Sequence, residues 1–484
     1  MTIAGRSFSV VGLGRSGVAA ANALAIRGGD VLASDAKPDA ALASIRVLLH
    51  PGVQVQAGRE VVRPGDVAVL SPGIPPNAWA FREAGRVASE VIGEVELFAR
   101  LWPGRIVAIT GTDGKSTTTT LTAHLLKACG MDAIAAGNLG NPLCELLDDA
   151  GCDRVAVAEV SCFQLLTTDR FRPLVALVTN LAEDHTEHHG SLNAYLRAKA
   201  RVVMRQAYGD WFVRNLDDPR LALWMTPDSR LAPDNGQTVL EVSCHRAVTN
   251  GAFVLDDTFF LARDGQRTPV CARADFPAIG AHNAENAVLA LAATLPFAPD
   301  PSALASGLRS YRGLPHRLEF VRECQGVRFY NDSKATNPHA AITALRAFDT
   351  PVVLIAGGHE KGLDYAELAV EVGRHCAAVV LAGECANRMA REFPDGVQKV
   401  RAASWDEAIG LAFDLARPQG VVLMSPASSS YDAFTNFEAR GTGSAPRCRP
   451  YDTRMPGQGK DAIKARTSAA IRSSASPSSH ARAT

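Results

Sequence analysis

Fifteen residues, Ile106 to Thr120 (IVAITGTDGKSTTTT), constrain this chain more than any other stretch. Ile106–Ile109 is a short apolar, β-branched run suited to a buried parallel strand, and a small, polar segment follows at once from Thr110 to Ser116. Leu121, Leu125 and Ala128 then recur at helical spacing, with Gly130 as a C-terminal stop. The order is strand, glycine loop, helix. In that setting Gly111, Thr112, Asp113, Gly114, Lys115, Ser116 and Thr117 read as a phosphate cradle. Loop N–H groups and the positive helix end face the phosphates, Lys115 reaches the outer ones, and Ser116 offers its hydroxyl to Mg²⁺. The loop is shorter than the usual form, which places a glycine six residues before the lysine; here that position is Ile109.

A chain of 484 residues calls for about three domains. The pattern predicts an α/β protein. Residues 1–94 read as a Rossmann-like domain, 95–312 as a central mononucleotide-binding domain with a mainly parallel sheet, 313–440 as a second Rossmann-like domain, and 441–484 as a disordered basic tail. Strands are expected at 8–11, 31–34, 67–70, 155–160, 174–179, 351–356, 377–383 and 421–425, and residues 208–280 as a β-rich, turn-rich insertion or edge. The tail is rich in Ser, Ala, Arg, Pro and Gly and cannot bury enough apolar surface to offset its ordering entropy. It holds 8 of the 50 basic and 2 of the 50 acidic residues, so the remaining 440 residues are mildly acidic, which argues against a nucleic-acid partner. No apolar run is long enough to cross a bilayer and no cleavable leader opens the chain, so no membrane partner and a cytoplasmic location are expected. Ten cysteines without a C-x-x-C pair fit reduced thiols.

Gly12, Gly14 and Gly17 follow the first strand, and Asp35 ends the second. That is the dinucleotide fingerprint, and taken alone it says NAD; it also suits a glycine turn used only for close packing. Ser71–Pro76 forms a rigid loop at a strand end, where open α/β sheets bind ligands. Glu159, at the end of the strand at 155–160, is the first choice as a second Mg²⁺ ligand, against a plain capping or salt-bridged role. In Glu183-Asp-His185-Thr-Glu-His-His189, one histidine at a Mg²⁺ or Mn²⁺ site suits the segment better than zinc, since no cysteine is near. Lys199, fourteen residues beyond His185, is by itself an ordinary helical lysine.

Together Thr110–Thr117, Glu159-Val-Ser-Cys-Phe-Gln, Asn180–His185, Lys199, Ala281-His-Asn283-Ala-Glu-Asn286, Leu314-Pro-His316-Arg317 and Asn331-Asp332-Ser-Lys334-Ala-Thr336-Asn resemble, in order and spacing, the Mur ligases of peptidoglycan assembly. Gly-x-Gly-x-x-Gly, Ser71-Pro-Gly73 and the run from Ser425 to Gly441 resemble the D-glutamate-adding branch, whereas the marks of the lysine- or diaminopimelate-adding branch are missing. The resemblance implies an ATP-dependent ligase acting through an acyl phosphate, with UDP-N-acetylmuramoyl-L-alanine and D-glutamate as small-molecule substrates. It makes Leu13, Arg15, Ser16, Asp35, Gly73 and Asn138 contacts of the UDP substrate, and the nicotinamide reading falls away. It makes Asn283 and Asn286 neighbours of adenine, and Arg317 and Asp332 nucleotide contacts. Lys334, Thr336, Lys361, Ser430 and Phe437 become the D-glutamate pocket. It implies two Mg²⁺ ions held by Ser116, Glu159, His185 and a carbamylated Lys199. Lys115, His185, Lys199 and His316 become catalytic, although His316 suits a structural hydrogen bond equally well.

The alternatives are a related amide ligase of the folylpolyglutamate type and a nucleotide-binding protein without turnover. A monomer is expected. Three departures stand out. His359 replaces an Asp found in some members, Cys162 replaces a usual Ser, and the tail lacks the family's further amphipathic helix and reads as a shifted reading frame.

Overall fold

The computed structural model describes residues 1–149, 151–182, 191–224 and 234–443. Three sheets run through it, each built from one stretch of chain. In the first, β1 (Ser7–Val11), β2 (Asp30–Asp35), β3 (Val53–Ala57), β4 (Val67–Leu70) and β5 (Glu90–Gly93) lie in the order β3-β2-β1-β4-β5, all parallel. The order turns back between β1 and β4, so the glycine turn after β1 and the Ser71–Pro76 loop after β4 open on one crevice. Gly17 is fixed by packing, since a Cβ there would stand 1.9 Å from the Gly12 carbonyl oxygen.

The second sheet holds β6 (Arg105–Thr110), β7 (Ala133–Gly137), β8 (Val155–Glu159), β9 (Val175–Val178), β10 (Trp211–Asn215), β11 (Thr238–Ser243), β12 (Gly251–Leu255), β13 (Thr258–Arg263) and β14 (Gln266–Ala272). Their order is β14-β13-β12-β11-β10-β9-β6-β8-β7, parallel from β7 to β12 and antiparallel through β13 and β14. The β-rich stretch at 208–280 is therefore the far edge of this same sheet. Because β6 lies between β8 and β9, the loops that follow these three strands emerge side by side. Their apolar runs are buried on both faces, as parallel strands between helix layers must be. The Lys115–Ala128 helix packs on the Ala281–Thr294 helix, whose Ala287–Ala293 stretch is wholly buried.

The third sheet orders β15 (Glu319–Cys324), β16 (Val327–Asn331), β17 (Val352–Gly357), β18 (Cys376–Ala382), β19 (Gln398–Arg401) and β20 (Val421–Ala427) as β15-β16-β20-β17-β18-β19. Only the β15–β16 pair is antiparallel. A final helix, Phe437–Gly443, runs past the point where the sequence pattern breaks at Gly441. The remainder of the expected disordered tail, 444–484, lies outside the described residues.

A buried acid sits at the junction of the first two sheets. Glu94 opens the Glu94–Leu101 helix, is 2% exposed, and accepts the Cys144 N–H at 2.7 Å through Oε1, while Oε2 has no partner. Burial raises its pKa from 4.5 to about 7, against the pull of the Cys144 hydrogen bond. The folded chain thus keeps a proton that an unfolded glutamate releases near pH 4.5. Between pH 4.5 and 7 the folded state binds more protons, so stability falls as pH rises through that window and levels off above it. Glu94→Gln copies the protonated form. It is expected to match the parent near pH 5 and exceed it at pH 8 by up to about 3 kcal/mol. Urea unfolding at the two pH values checks this, and equal differences at both would refute it.

Candidate active site

The loop after β6 is held in a shape only glycine permits at two points. Gly111 has φ +142° and Gly114 φ +77°; a Cβ would lie 1.9 Å from Thr179 Oγ1 at the first and 2.3 Å from Asn286 Oδ1 at the second. Neighbouring strand ends pin the rest. The Thr112 N–H donates to the Asn180 carbonyl at 3.0 Å, the Asp113 N–H donates to Asn180 Oδ1 at 2.9 Å, and Thr179 Oγ1 donates to the Asp113 carbonyl. Lys115 folds back on its own loop, donating to the carbonyls of Thr112 at 2.6 Å and Gly111 at 3.1 Å. Ser116 is half-buried in the first turn of the helix, where unpaired N–H groups and the dipole favour an anion.

At the end of the adjacent β8, Glu159 is 2% exposed. Asn138 Nδ2 donates to its Oε1 at 2.9 Å, and its Oε2 has no partner. An orphaned, buried carboxylate oxygen beside a phosphate loop is the donor a hard divalent cation would use, so the residues fit Mg²⁺. Lys199 is likewise 2% exposed. Its amine donates to the Gly111 carbonyl and lies 4.5 Å from the centre of the Tyr195 ring, whose hydroxyl is 3.0 Å from Thr112 Oγ1. His185 lies outside the described residues, as do the other histidines of the 183–189 run. A cleft of about 340 Å³ gathers Gly73 from the first sheet with Gly111, Lys115, Asn138, Cys162 and Lys199.

On the other flank of the loop, Asn286 Oδ1 accepts Thr118 Oγ1 at 3.1 Å and its amide reaches Asn283 Oδ1 at 3.3 Å. Asn283, Thr117 and Arg317 line a narrow cavity of about 80 Å³ with His282 and Tyr311. Burial, then the charge of Arg317, lowers the His282 pKa and keeps that ring neutral. Asp332, 5% exposed at the end of β16, accepts Ser425 Oγ at 2.7 Å and the Leu318 N–H at 3.2 Å. Burial pushes its carboxyl up to about 7 despite those bonds and Arg317.

Beyond Asp332, Lys334 is reached by solvent, yet the protein around it lowers its pKa, with Arg317 adding to that and Glu159 and Glu438 opposing it. The Lys334 amine lies 5.9 Å from the Phe437 ring centre, and that ring meets His316 edge-on at 6.2 Å. His316 Nδ1 is 2.9 Å from Asn331 Nδ2, and its N–H donates to Glu319, a structural anchorage. Ser430 is buried, Thr336 half-buried and Lys361 exposed, the last on the loop after β17.

In the first sheet, Asp35 accepts the Leu13 N–H at 2.8 Å and the Lys37 N–H at 2.9 Å. Arg15 donates to the Gly140 carbonyl at 3.0 Å, and Ser16 sits in the same first helical turn. Arg15 thus spans from the first sheet to the loop that carries Asn138.

Residues 109–294 match the model of the Mur ligase middle domain, and 316–428 that of the Mur ligase glutamate ligase domain. A UDP-N-acetylmuramoylalanine–D-glutamate ligase of Pelotomaculum thermopropionicum is 40% identical over 441 residues, spanning 89% of this chain and 95% of that protein. The chain belongs to the Mur ligase family. The namesake enzyme of Geobacter metallireducens is 40% identical over 446 residues, 91% of this chain and 96% of the other. Solved Mur ligases share the fold. UDP-N-acetylmuramate-alanine ligase MurC of Thermotoga maritima superposes with a TM-score of 0.52 at 18% identity, over 87% of this chain and 95% of that one. A pseudomurein peptide ligase type C of Methanothermus fervidus gives 0.52 at 18%, over 87% and 96%.

Two groups in this Mur ligase site escaped the sequence reading. Tyr195 stands four residues before Lys199, the spacing that puts two side chains on one helix face, and that signal was available. Arg440 falls in the Ser425–Gly441 run that the sequence reading singles out, but no role could be given to it, because its partner Ser333 lies 107 residues away along the chain.

Proposed function

We propose that this chain joins D-glutamate to UDP-N-acetylmuramoyl-L-alanine at the expense of ATP, in the cytoplasmic assembly of peptidoglycan precursors. The observation that carries this reading is the meeting of Lys115, Lys199 and Asn138 with Gly73 in one cleft. A nucleotide's phosphates and a nucleotide-linked acceptor can face each other there. The identity of acceptor and amino acid rests on the names of the full-length relatives.

In the first step an oxygen of the alanine carboxylate attacks the γ-phosphorus; the bond to ADP breaks and an acyl phosphate forms. Two anions must meet, so Lys115 and Arg317 neutralise charge while the loop N–H groups orient the phosphates. Two Mg²⁺ ions, held by Ser116, Glu159, His185 and a Lys199 converted to its carbamate, would add charge neutralisation. In the second step the D-glutamate amine attacks the acyl carbon, phosphate leaves, and the amine proton passes to solvent. Lys334 and Lys361 suit the two carboxylates of that substrate, with Thr336, Ser430 and Phe437 around them. Leu13, Arg15, Ser16, Asp35, Gly73 and Asn138 hold the uridine diphosphate, Asn283 and Asn286 the adenine, and Asp332 the nucleotide. The lobes divide near residues 94 and 312, between the sheets, and the chain works as a monomer on small molecules, without nucleic acid or membrane. Among the described residues no helix is long and apolar enough to cross a membrane.

Phosphate release from ATP is expected only when UDP-N-acetylmuramoyl-L-alanine and D-glutamate are both present. Release with a folate acceptor in place of the sugar nucleotide, or tight ATP binding with no amide product, would replace this reading.

A further inference from the structure

Among the fully buried side chains of the described residues, Arg440 is the largest. It projects from the Phe437–Gly443 helix into the C-terminal edge of the third sheet. Its Nε donates to Ser333 Oγ at 3.0 Å, and its Nη2 to the carbonyls of Ser333 at 2.9 Å and Ser428 at 3.0 Å. Ser333 Oγ passes the link on, donating to the Phe437 carbonyl at 2.8 Å. The guanidinium lies 5.3 Å from the Trp405 ring centre. Its Nη1, buried without a partner, stands 3.1 Å from where a Cβ on Gly358 would be.

One side chain therefore meets four segments. Ser333 precedes Lys334 and Thr336, Gly358 precedes Lys361, Ser428 precedes Ser430, and Phe437 opens the arginine's own helix. Those five residues are the proposed D-glutamate pocket. A buried guanidinium is costly, and a well-packed apolar side chain would close this helix as stably. What an apolar side chain lacks is a planar fork that holds two backbone carbonyls and a hydroxyl in fixed directions at once. Asp332, beside Ser333, is held separately by Ser425 and Leu318, so the nucleotide side has its own support.

We propose that Arg440 is a positioning residue that keeps the four segments of the amino-acid pocket in register and so sets the affinity for D-glutamate without touching it. The proposal rests on the D-glutamate ligase reading above.

The test uses the full chain with Arg440→Met, Arg440→Lys and Ser333→Ala, measuring KM separately for D-glutamate, ATP and the sugar nucleotide. In Arg440→Met and Ser333→Ala the D-glutamate KM is expected to rise on the order of tenfold, the scale of a small misplacement. The other two are expected to stay within about twofold of the parent. Arg440→Lys should recover part of the loss at neutral pH and forfeit it as pH rises and the buried ammonium loses its proton. Hydrogen exchange of the substrate-free variants should quicken in 333–337, 358–362 and 427–431. Unchanged exchange there, an unchanged D-glutamate KM, or a parallel rise in all three KM values overturns the proposal. If Arg440→Met does not fold, Ser333→Ala decides. If the parent shows no dependence on D-glutamate, the ligase reading fails by itself, and exchange still decides whether Arg440 orders these segments.

Discussion

Lys115→Ala is expected to lower kcat/KM for ATP on the order of 10³-fold, the scale of removing one preorganised group from a transferring phosphoryl. The melting temperature should stay within about 2 °C, because the substitution leaves no cavity and no stranded charge. The reasoning starts from the amine's present partners. In the substrate-free fold it donates to two carbonyls of its own loop, Gly111 and Thr112. Those bonds are local, and the half-buried side chain spans no packed core. Truncation therefore costs the fold little. Phosphates entering the loop offer the same ammonium far stronger acceptors, and its charge counts most when negative charge moves onto the leaving ADP. Lys115→Arg should not restore activity, since a planar fork does not fit where a compact ammonium sits against the loop. Phosphate-release kinetics with thermal melting on the same preparations measure both halves. A loss under about tenfold would remove Lys115 from the chemistry.

The parts of the fold that could be read in sequence are those where burial imposes a pattern. β6, β8, β9, β17 and β20 are runs of Val, Ile, Leu and Ala buried on both faces, and the unbroken apolar stretch is itself the signal. β3 (VQVQA) and β19 (QKVR) are edge strands of four or five residues, largely open to water, too short and too polar to stand out from an ordinary loop. The phosphate loop was legible because its glycines answer to a local constraint, a positive φ that other residues rarely adopt. That its supports meet it was not, although Asn180 falls in a legible run and Tyr195 has helical spacing to Lys199, since Thr179, Asn180 and Tyr195 reach the loop from 66, 67 and 83 residues further along the chain. The Rossmann-type glycines mislead for a related reason. Gly17 is needed for packing against Gly12 whatever the ligand, so the motif reports backbone geometry more than cofactor identity.

Glu159→Gln separates what that residue does for the fold from what it does for the reaction, and the two effects should have opposite signs. One oxygen of the carboxylate is satisfied by Asn138, while the other is buried with no donor. A buried oxygen that carries charge and lacks a partner costs the unliganded fold. The amide keeps the Asn138 bond and puts a neutral N–H group, itself without an acceptor, where the carboxylate oxygen was; burying it costs less than burying charge, so without metal the variant should be more stable than the parent, by about 1 kcal/mol. Activity should move the other way. A neutral amide is a poor ligand for a hard divalent cation, so kcat should fall on the order of 10²-fold or more and the Mg²⁺ concentration for half-maximal activity should rise. The melting-temperature rise that Mg²⁺ with ATP gives the parent should shrink in the variant. A Glu159→Gln protein that is less stable without metal, yet retains the parent's Mg²⁺ dependence, would make the carboxylate a structural partner of Asn138 and place the ion elsewhere. The sign of the metal-free change is the sharper criterion, because it is read without turnover. It asks whether Glu159 is an acid the fold tolerates for the sake of a ligand, in the way that active sites trade stability for function.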